Sequence, residues 1–270
     1  MFTAYKDAHV VVTGGANGIG KALALGFAKR GANVAVVDIH GDEAKAVAAE
    51  ITAMGCKSIA IQADVSVLDE CAKVYDTVMD AFGRCDVLVN DAGVSALSDV
   101  EHIPEKDLRW VFETNVYSHW FMMQKFLPQM RKQGTHCQIL NVCSIAGLIS
   151  MNGAPAYFSS KHAAVALSEC VYKQLKAENA DIDVSIFCPG YVQTEMHLTD
   201  RHRPERFAIH DDEPYYHTEQ YAGMVAFNKM LLDNGAPLDT AVETIFTALE
   251  KEQFYILDSA KYERLLCEQG

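Results

Sequence analysis

The chain has no surplus of positive charge and no basic cluster. It carries 23 Lys and Arg against 36 Asp and Glu, a net charge of −13 over 270 residues. A nucleic-acid partner is argued against, because neutralising backbone phosphates takes clustered Lys and Arg, and an anionic membrane surface is disfavoured for the same reason. No apolar run approaches the roughly 20 residues that span a bilayer. The opening, Met1 to Val12, lacks the basic start and long apolar middle of a signal peptide, so the expected location is cytoplasmic with no membrane partner. Eight cysteines are present, but Cys56, Cys71, Cys85, Cys137, Cys143, Cys170, Cys188 and Cys267 are dispersed, and the ten histidines form no His-x-x-x-His pair. These spacings argue against a disulfide framework and a metal site, so the thiols are expected to be reduced and mostly buried, with no metal. What remains is a chain that is 50% hydrophobic, without a composition break, and long enough for one large core: a single domain over 1–270.

The rest of the chain can be placed relative to Val10–Gly20, Val-Val-Val-Thr-Gly-Gly-Ala-Asn-Gly-Ile-Gly. A short apolar strand breaks there into a glycine loop and continues as a helix from about Ile19 to Arg30. Gly14 permits a tight turn, Gly18 lets the main chain approach a bulky anion, and Gly20 lets the helix pack closely on the strand. With Asn17 and Ile19 they aim free N–H groups and the positive end of the helix dipole at the space above. A pyrophosphate suits that space; an ordinary strand-to-helix turn also fits the pattern.

Asn33–Asp38 is a β-branched run that reads as a strand buried on both faces. Its final Asp38 lies about 20 residues past the loop, where an acid accepts hydrogen bonds from adenosine ribose hydroxyls and repels a 2′-phosphate. With no basic residue at Ala16, Asn17 or Ile39 to offer a counter-charge, NAD is favoured over NADP. The alternation then continues: helix near Asp42–Met54, strand Ser58–Gln62, helix near Val67–Phe82, strand Asp86–Asn90, a helical region from Pro104 to about Arg131, and strand Gln138–Cys143. Such a series gives right-handed βαβ units, an α/β fold with a doubly wound parallel sheet and helices on both faces. Asp64, Val65, Asn90, Ala92 and Gly93 fall past strand ends at the edge where such sheets bind ligands. Asp64 is a candidate acceptor for an adenine amino group, and Ala92-Gly93 lacks bulk where a cofactor passes; turn chemistry also explains each alone. Asn115, flanked by aromatic residues within its helix, needs partners for its amide.

Tyr157 and Lys161 stand four apart, one turn of a helix. A free phenol ionises near pH 10, and bringing it to neutrality takes roughly 4 kcal/mol of differential stabilisation, which a neighbouring ammonium and an oxidised nicotinamide could supply in a dry site. The pair is then an acid/base candidate, with Ser144 at a strand end to hold the reacting oxygen; a packed ring beside a solvated amine fits the same spacing.

Thr13-Gly-Gly-Ala-Asn-Gly-Ile-Gly20, Asp38, Asp64, Asn90-Asp-Ala-Gly93, Asn115, Ser144, Tyr157-Phe-Ser-Ser-Lys161 and Pro189-Gly-Tyr-Val-Gln-Thr194 together resemble the short-chain dehydrogenase/reductase family in order and spacing, over about Lys6 to Thr194. The resemblance implies a Rossmann-type domain with a cofactor half over about 1–145 and a catalytic and substrate half over about 146–270. It implies NAD as cofactor and interconversion of a secondary alcohol and its ketone. Tyr157 is then the acid/base, Lys161 favours the phenolate and holds the nicotinamide ribose, Ser144 orients the substrate, and Asn115 supports a water-linked proton relay. Pro189, Val192 and Thr194 line the cofactor, the last two holding the carboxamide. A homo-oligomer is implied, a dimer through the long helices rather than a tetramer, because the chain lacks the ending common in tetrameric members. Asp91 stands where the family has Asn, putting one sheet-stabilising hydrogen bond in doubt. Cys143 precedes Ser144 where a small hydroxyl residue is usual, and reads as packing.

About 191–232 is the expected substrate lid. It holds a His, Arg, Pro and acid-rich stretch from Glu195 to Thr218 and an amphipathic helix over Tyr216–Leu232, with Tyr221, Met224, Val225 and Phe227 available to a pocket or to the sheet edge. Met151, Asn152, Ala154, Tyr191, Met196 and His197 are further candidates beside Ser144 and Tyr157. Their apolar, flexible character suggests a bulky hydrophobic small-molecule substrate such as a hydroxysteroid or bile acid. A small polyol or a hydroxyacyl thioester is the alternative, the latter wanting Arg201, Arg203 and Arg206 for its phosphates. A non-catalytic NAD-binding regulatory protein is the rival from another class.

Overall fold

The β-branched runs form strands because each is apolar on both sides and finds helices on both faces of one sheet. The computed structural model describes residues 5–208 and 213–259. Seven parallel strands, β1 (His9–Thr13), β2 (Asn33–Asp38), β3 (Ser58–Gln62), β4 (Val87–Asn90), β5 (Cys137–Val142), β6 (Ile182–Cys188) and β7 (Tyr255–Leu257), lie in the order β3-β2-β1-β4-β5-β6-β7. Side chains alternate across the sheet. Val10, Val12, Val34 and Val36 point to the face covered by helices α1 (Gly18–Lys29) and α2 (Gly41–Ala53), whereas Val11, Ala35 and Val37 point to the face of α3 (Leu68–Phe82). The second face is also covered by Met122, Met123 and Phe126 from a helical region that the sequence suggests is continuous. It is in fact α4 (Glu105–Phe112), a wide π turn at Glu113–Tyr117, and α5 (Ser118–Lys132). Ser118 N bonds the Glu113 carbonyl, five residues back.

Helix α6 (Pro155–Ala177) starts with proline in its first turn, where no amide hydrogen is needed. The expected Tyr216–Leu232 helix begins later, as α7 (Glu219–Asp233), because Thr218 Oγ1 accepts from Tyr221 N and caps it; Pro214–His217 forms a separate 3-10 turn. Helix α8 (Leu238–Leu249) lies outside the sequence expectations and covers α1, with Phe246 edge-on to Phe27 at 4.8 Å between ring centroids. Five of the cysteines are buried, while Cys170 is exposed and Cys56 half-buried; Cys267 and the short helical stretch expected after Asp258 lie outside the described residues. Among the described residues no helix is long and apolar enough to cross a membrane.

Candidate active site

The strand order reverses between β1 and β4, and there the chain leaves a crevice at the carboxyl edge of the sheet. It encloses about 360 Å³. Its floor is main chain. Gly14 sits at φ +64°, and a Cβ on it would lie 3.0 Å from Ala92 Cα; a Cβ on Gly20 would lie 2.2 Å from the Gly14 carbonyl oxygen. Gly18, at φ +50°, would meet only Thr194, at 3.7 Å. The loop is packed beneath and open above, where the positive end of the α1 dipole faces the crevice, so these residues fit a dinucleotide diphosphate.

Asp38 is held rigidly at one end of the floor. Ala16 N donates to one carboxylate oxygen and His40 N to the other, both at 3.0 Å. Asn17, Ile19, Asp64, Val65, Ala92, Gly93, Pro189, Val192 and Thr194 line the crevice with it. Gly20, Asn90 and Asn115 do not: Gly20 packs behind the loop, and Asn90 Nδ2 turns into the core to donate to Asn141 Oδ1 at 2.8 Å, tying β4 to β5. Asn115 is a clamp. Its Oδ1 accepts from Val94 N at 2.8 Å, and its Nδ2 donates to Val94 O at 2.9 Å and Ser160 Oγ at 3.0 Å, joining the loop after β4 to α6.

Ser144, Tyr157 and Lys161 face the same crevice. Ser144 Oγ accepts from Ala146 N at 3.1 Å, which leaves its O–H to donate elsewhere. The turn after it lies flat on α6 because Gly147 has no side chain; a Cβ there would be 2.7 Å from the Lys161 carbonyl. Gly147 is thus a supporting residue that pattern reading missed, though Ser-Ile-Ala-Gly carries its signal. Lys161 is 3% exposed, donates to Val142 O at 3.2 Å, and places Nζ 5.8 Å from the Tyr157 ring centroid. Cys143 is buried, and burial pushes its thiol up to about 11, as befits packing. Asp91 N donates to Thr13 Oγ1, tying the loop after β4 to β1, while its carboxyl accepts from Gly20 N beneath the crevice. Burial pushes that carboxyl up to about 7 despite the opposing pull of Lys161.

The substrate end is built differently. Met151, Asn152, Ala154, Tyr191, Met196, Met224 and Phe227 line the crevice, together with Leu97, Ile149 and Leu231, which sequence pattern alone did not single out. His197, Tyr221 and Val225 face a smaller neighbouring cavity instead. Residues 195–208 cross the crevice as a strap, with 3-10 turns at Met196–His202 and Glu205–Phe207. Arg203, over the Trp110 ring, pairs with Asp107 at 2.5 Å and Asp200 at 2.7 Å, and the Tyr216 hydroxyl donates to Asp107 as well. Arg206 pairs with Asp64 at 2.5 Å and Glu113 at 3.6 Å, and Arg201 with Glu195 at 2.7 Å. His202 meets His40 at 2.8 Å; burial, Arg201 and His40 all hold its imidazole below the usual range. The expectation of no cation near Asp38 therefore needs correction. The fold brings the Arg201 guanidinium to that crevice, beside a His202 ring whose charged form is disfavoured, from more than 160 residues away, a distance that loop spacing cannot report.

The family model for short chain dehydrogenase matches residues 8–205. A CLA biosynthesis dehydrogenase/reductase from Lactiplantibacillus plantarum is 37% identical over 262 residues, covering 97% of this chain and 91% of the relative. A 1-deoxy-11-beta-hydroxypentalenate dehydrogenase from Streptomyces exfoliatus is 35% identical over 188 residues, covering 69% and 68%. The crystal structure of a short chain dehydrogenase/reductase from Burkholderia phymatum in complex with NAD superposes with a TM-score of 0.90 at 28% identity, over 94% of this chain and 89% of that one. With the glycine floor, the Ser144, Tyr157 and Lys161 set and these matches in hand, the chain belongs to the short chain dehydrogenase family.

Proposed function

We propose that this protein is an NAD(H)-dependent oxidoreductase interconverting a secondary alcohol and its ketone, on a bulky hydrophobic substrate such as a hydroxysteroid or bile acid. The observation that carries this reading is that Ser144, Tyr157 and Lys161 share one crevice with the glycine floor and Asp38. Gly14, Asn17, Gly18 and Ile19 would hold the diphosphate, Asp38 the adenosine ribose, Asp64 and Val65 the adenine, Ala92 and Gly93 the passing chain, and Val192 and Thr194 the carboxamide, with Pro189 lining the cofactor beside them. Bound NAD supplies a hydride acceptor, and its reduced form a donor. Ser144 Oγ–H donates to the substrate oxygen, and Tyr157 takes or returns that oxygen's proton. Lys161, enclosed and cationic, favours the phenolate and holds the nicotinamide ribose. Asn115 fixes α6 against the loop after β4 and so keeps Lys161 in place within the relay.

The apolar wall around Met151, Met196, Met224 and Phe227 supports a bulky neutral substrate, and the hydroxyl in the name of the Streptomyces relative's substrate supports alcohol chemistry. A hydroxyacyl thioester is less favoured, because Arg201, Arg203 and Arg206 are each paired with a carboxylate rather than standing ready for phosphates. The reading includes a cytoplasmic homodimer through the α4–α5 and α6 faces, supported by Leu108, Tyr117 and Trp120 standing exposed on the first. Purified protein given NAD and a panel of steroids and other secondary alcohols is expected to produce the absorbance of reduced nicotinamide. Binding of NAD without turnover across the panel would overturn the catalytic reading, and a preference for NADP would overturn the reading of Asp38.

A further inference from the structure

The substrate end of the crevice holds polar groups that the chemistry above does not use. Asn228 stands on α7 where two rows of side chains cross at helical spacing, Tyr221 and Val225 toward the smaller neighbouring cavity, Met224 and Leu231 toward the crevice. Asn228 itself lines both. Its half-buried side-chain amide makes no hydrogen bond among the described residues, although an apolar helix face favours a residue with no polar group to satisfy. Two hydroxyls from other elements line the same two cavities: Ser95, in the loop after β4, and Thr199, in the strap. Ser95 Oγ has no partner among the described residues, and Thr199 Oγ1 accepts from Ser95 N at 3.3 Å, which leaves its own O–H to donate. Three elements that meet only in the folded chain thus bring an amide and two hydroxyls to the neck between the cavities.

Size and charge limit what fits there. The smaller cavity encloses about 20 Å³, space for one oxygen-sized group. Asp107 and Asp200 line it against the Arg203 guanidinium, so a carboxylate entering it meets more negative charge than positive. His197, whose buried Nδ1 has no partner among the described residues, lines it too. From this placement we infer that the substrate carries a second, uncharged oxygen, a hydroxyl or a carbonyl away from the reacting carbon, and that Asn228, Ser95 and Thr199 bind it at this neck. The inference rests on the proposed alcohol–ketone reaction and narrows its substrate. Asn228 accepts from a hydroxyl through Oδ1 or donates to either group through Nδ2, and the two hydroxyls donate. Ser144 and Tyr157 line the crevice alone, so the two oxygens of the substrate are read at separate places. An alcohol without the second oxygen leaves the neck's polar groups against an apolar skeleton, which discriminates more strongly than an added apolar contact does.

The test uses matched compounds on a steroid and on an open-chain skeleton: a mono-ol, and counterparts bearing a second hydroxyl, ketone or carboxyl at varied positions. Wild type is expected to favour the best diol or hydroxyketone over the mono-ol by roughly tenfold or more in kcat/KM, with the hydroxy acid below both. Asn228→Leu is expected to shrink that preference to within about twofold. Asn228→Asp, assayed at pH 8, keeps an acceptor and loses the donor. It is expected to move the diol-to-hydroxyketone ratio several-fold toward the diol, a change that altered packing alone would not produce. A wild type indifferent to the second oxygen, or an Asn228→Leu variant with the wild-type preference, overturns the inference and leaves the alcohol–ketone reading standing. A wild type inactive on every alcohol overturns that reading instead. Titration of the same compounds into the protein with NADH, followed by nicotinamide fluorescence, then compares them without turnover, and equal binding of mono-ol and diol, or none, overturns the inference as well.

Discussion

The floor and the roof of the crevice are made by different means. The floor is main chain at strand tips, where Gly14, Gly20 and Gly147 are in contact with backbone atoms that leave no space for a side chain. The roof is side chain on side chain: Arg203 with Asp107, Arg206 with Asp64, His202 with His40. Main-chain geometry is set by a few adjacent residues and tolerates almost no change, so it holds a cofactor in one place. A roof pinned by ion pairs can be remade pair by pair, which suits the part of the site that meets varied substrates.

The largest effect expected comes from the floor's chemistry. Tyr157→Phe should lower turnover by roughly 10²–10⁴ while NAD binding, followed by fluorescence titration, stays within twofold of wild type by order of magnitude. Turnover retained in full would break the assignment. Next, a matched pair of glycines sharpens the contrast. Gly20→Ala places a Cβ against the Gly14 carbonyl and should cost about 1–3 kcal/mol, read as a lower melting temperature and weaker NAD binding. Gly223→Ala, in α7 with nothing within 4 Å of the new Cβ, should gain about 0.5–1 kcal/mol. Equal penalties at the two sites would erase the distinction between floor and roof.

Arg203→Ala should act on the roof alone. It leaves buried Asp107 without its cation and held only by the Tyr216 hydroxyl; breaking a buried pair costs up to about 3–5 kcal/mol, here drawn from the strap's attachment. The expected readouts are a KM for the alcohol raised about tenfold and faster proteolysis within 195–208, with NAD affinity unchanged. A change confined to NAD affinity would show that the strap belongs to the cofactor. The smallest effect is at Asp91. Its carboxyl, raised from 3.8 to about 7, keeps a proton in the folded chain that the unfolded chain has already released. Stability therefore falls as pH rises from about 4 to 7 and levels off above that. Asp91→Asn should flatten this slope, so that melts at pH 5 and pH 8 converge by about a few degrees.

The same division decided what could be read from the sequence. The glycine loop, Asp38 and the Tyr157–Lys161 step are local, and chain geometry over a few residues gives them meaning; the strands they sit on declare themselves by β-branched runs. The strap does not, because Arg203 and Asp107 lie 96 residues apart and Arg206 and Asp64 lie 142 apart, and no periodicity links an arginine to the acid it will meet. Asn115 is intermediate. A buried Asn in a helix signals that its amide has partners, but not that Val94 and Ser160 consume them all, nor that the helix widens there. Helix α8 escaped because its apolar face is read only once α1 is in place to receive it.

That widened turn also sets the phase between the two halves of the crevice. Helix α5, after it, is fixed on the sheet by Met122, Phe126 and Met130, while α4, before it, carries Asp107 and Trp110 to the strap. Glu113–Tyr117 holds one residue more than an α-helical turn would span. A chain shortened by one residue there would close the ordinary ladder and swing α4 by about 100° about the helix axis relative to α5. The sheet would keep its strands and its glycines, yet Asp107 would face away from Arg203. A single-residue deletion in this turn is thus a change that every pattern in the sequence would tolerate and the site would not.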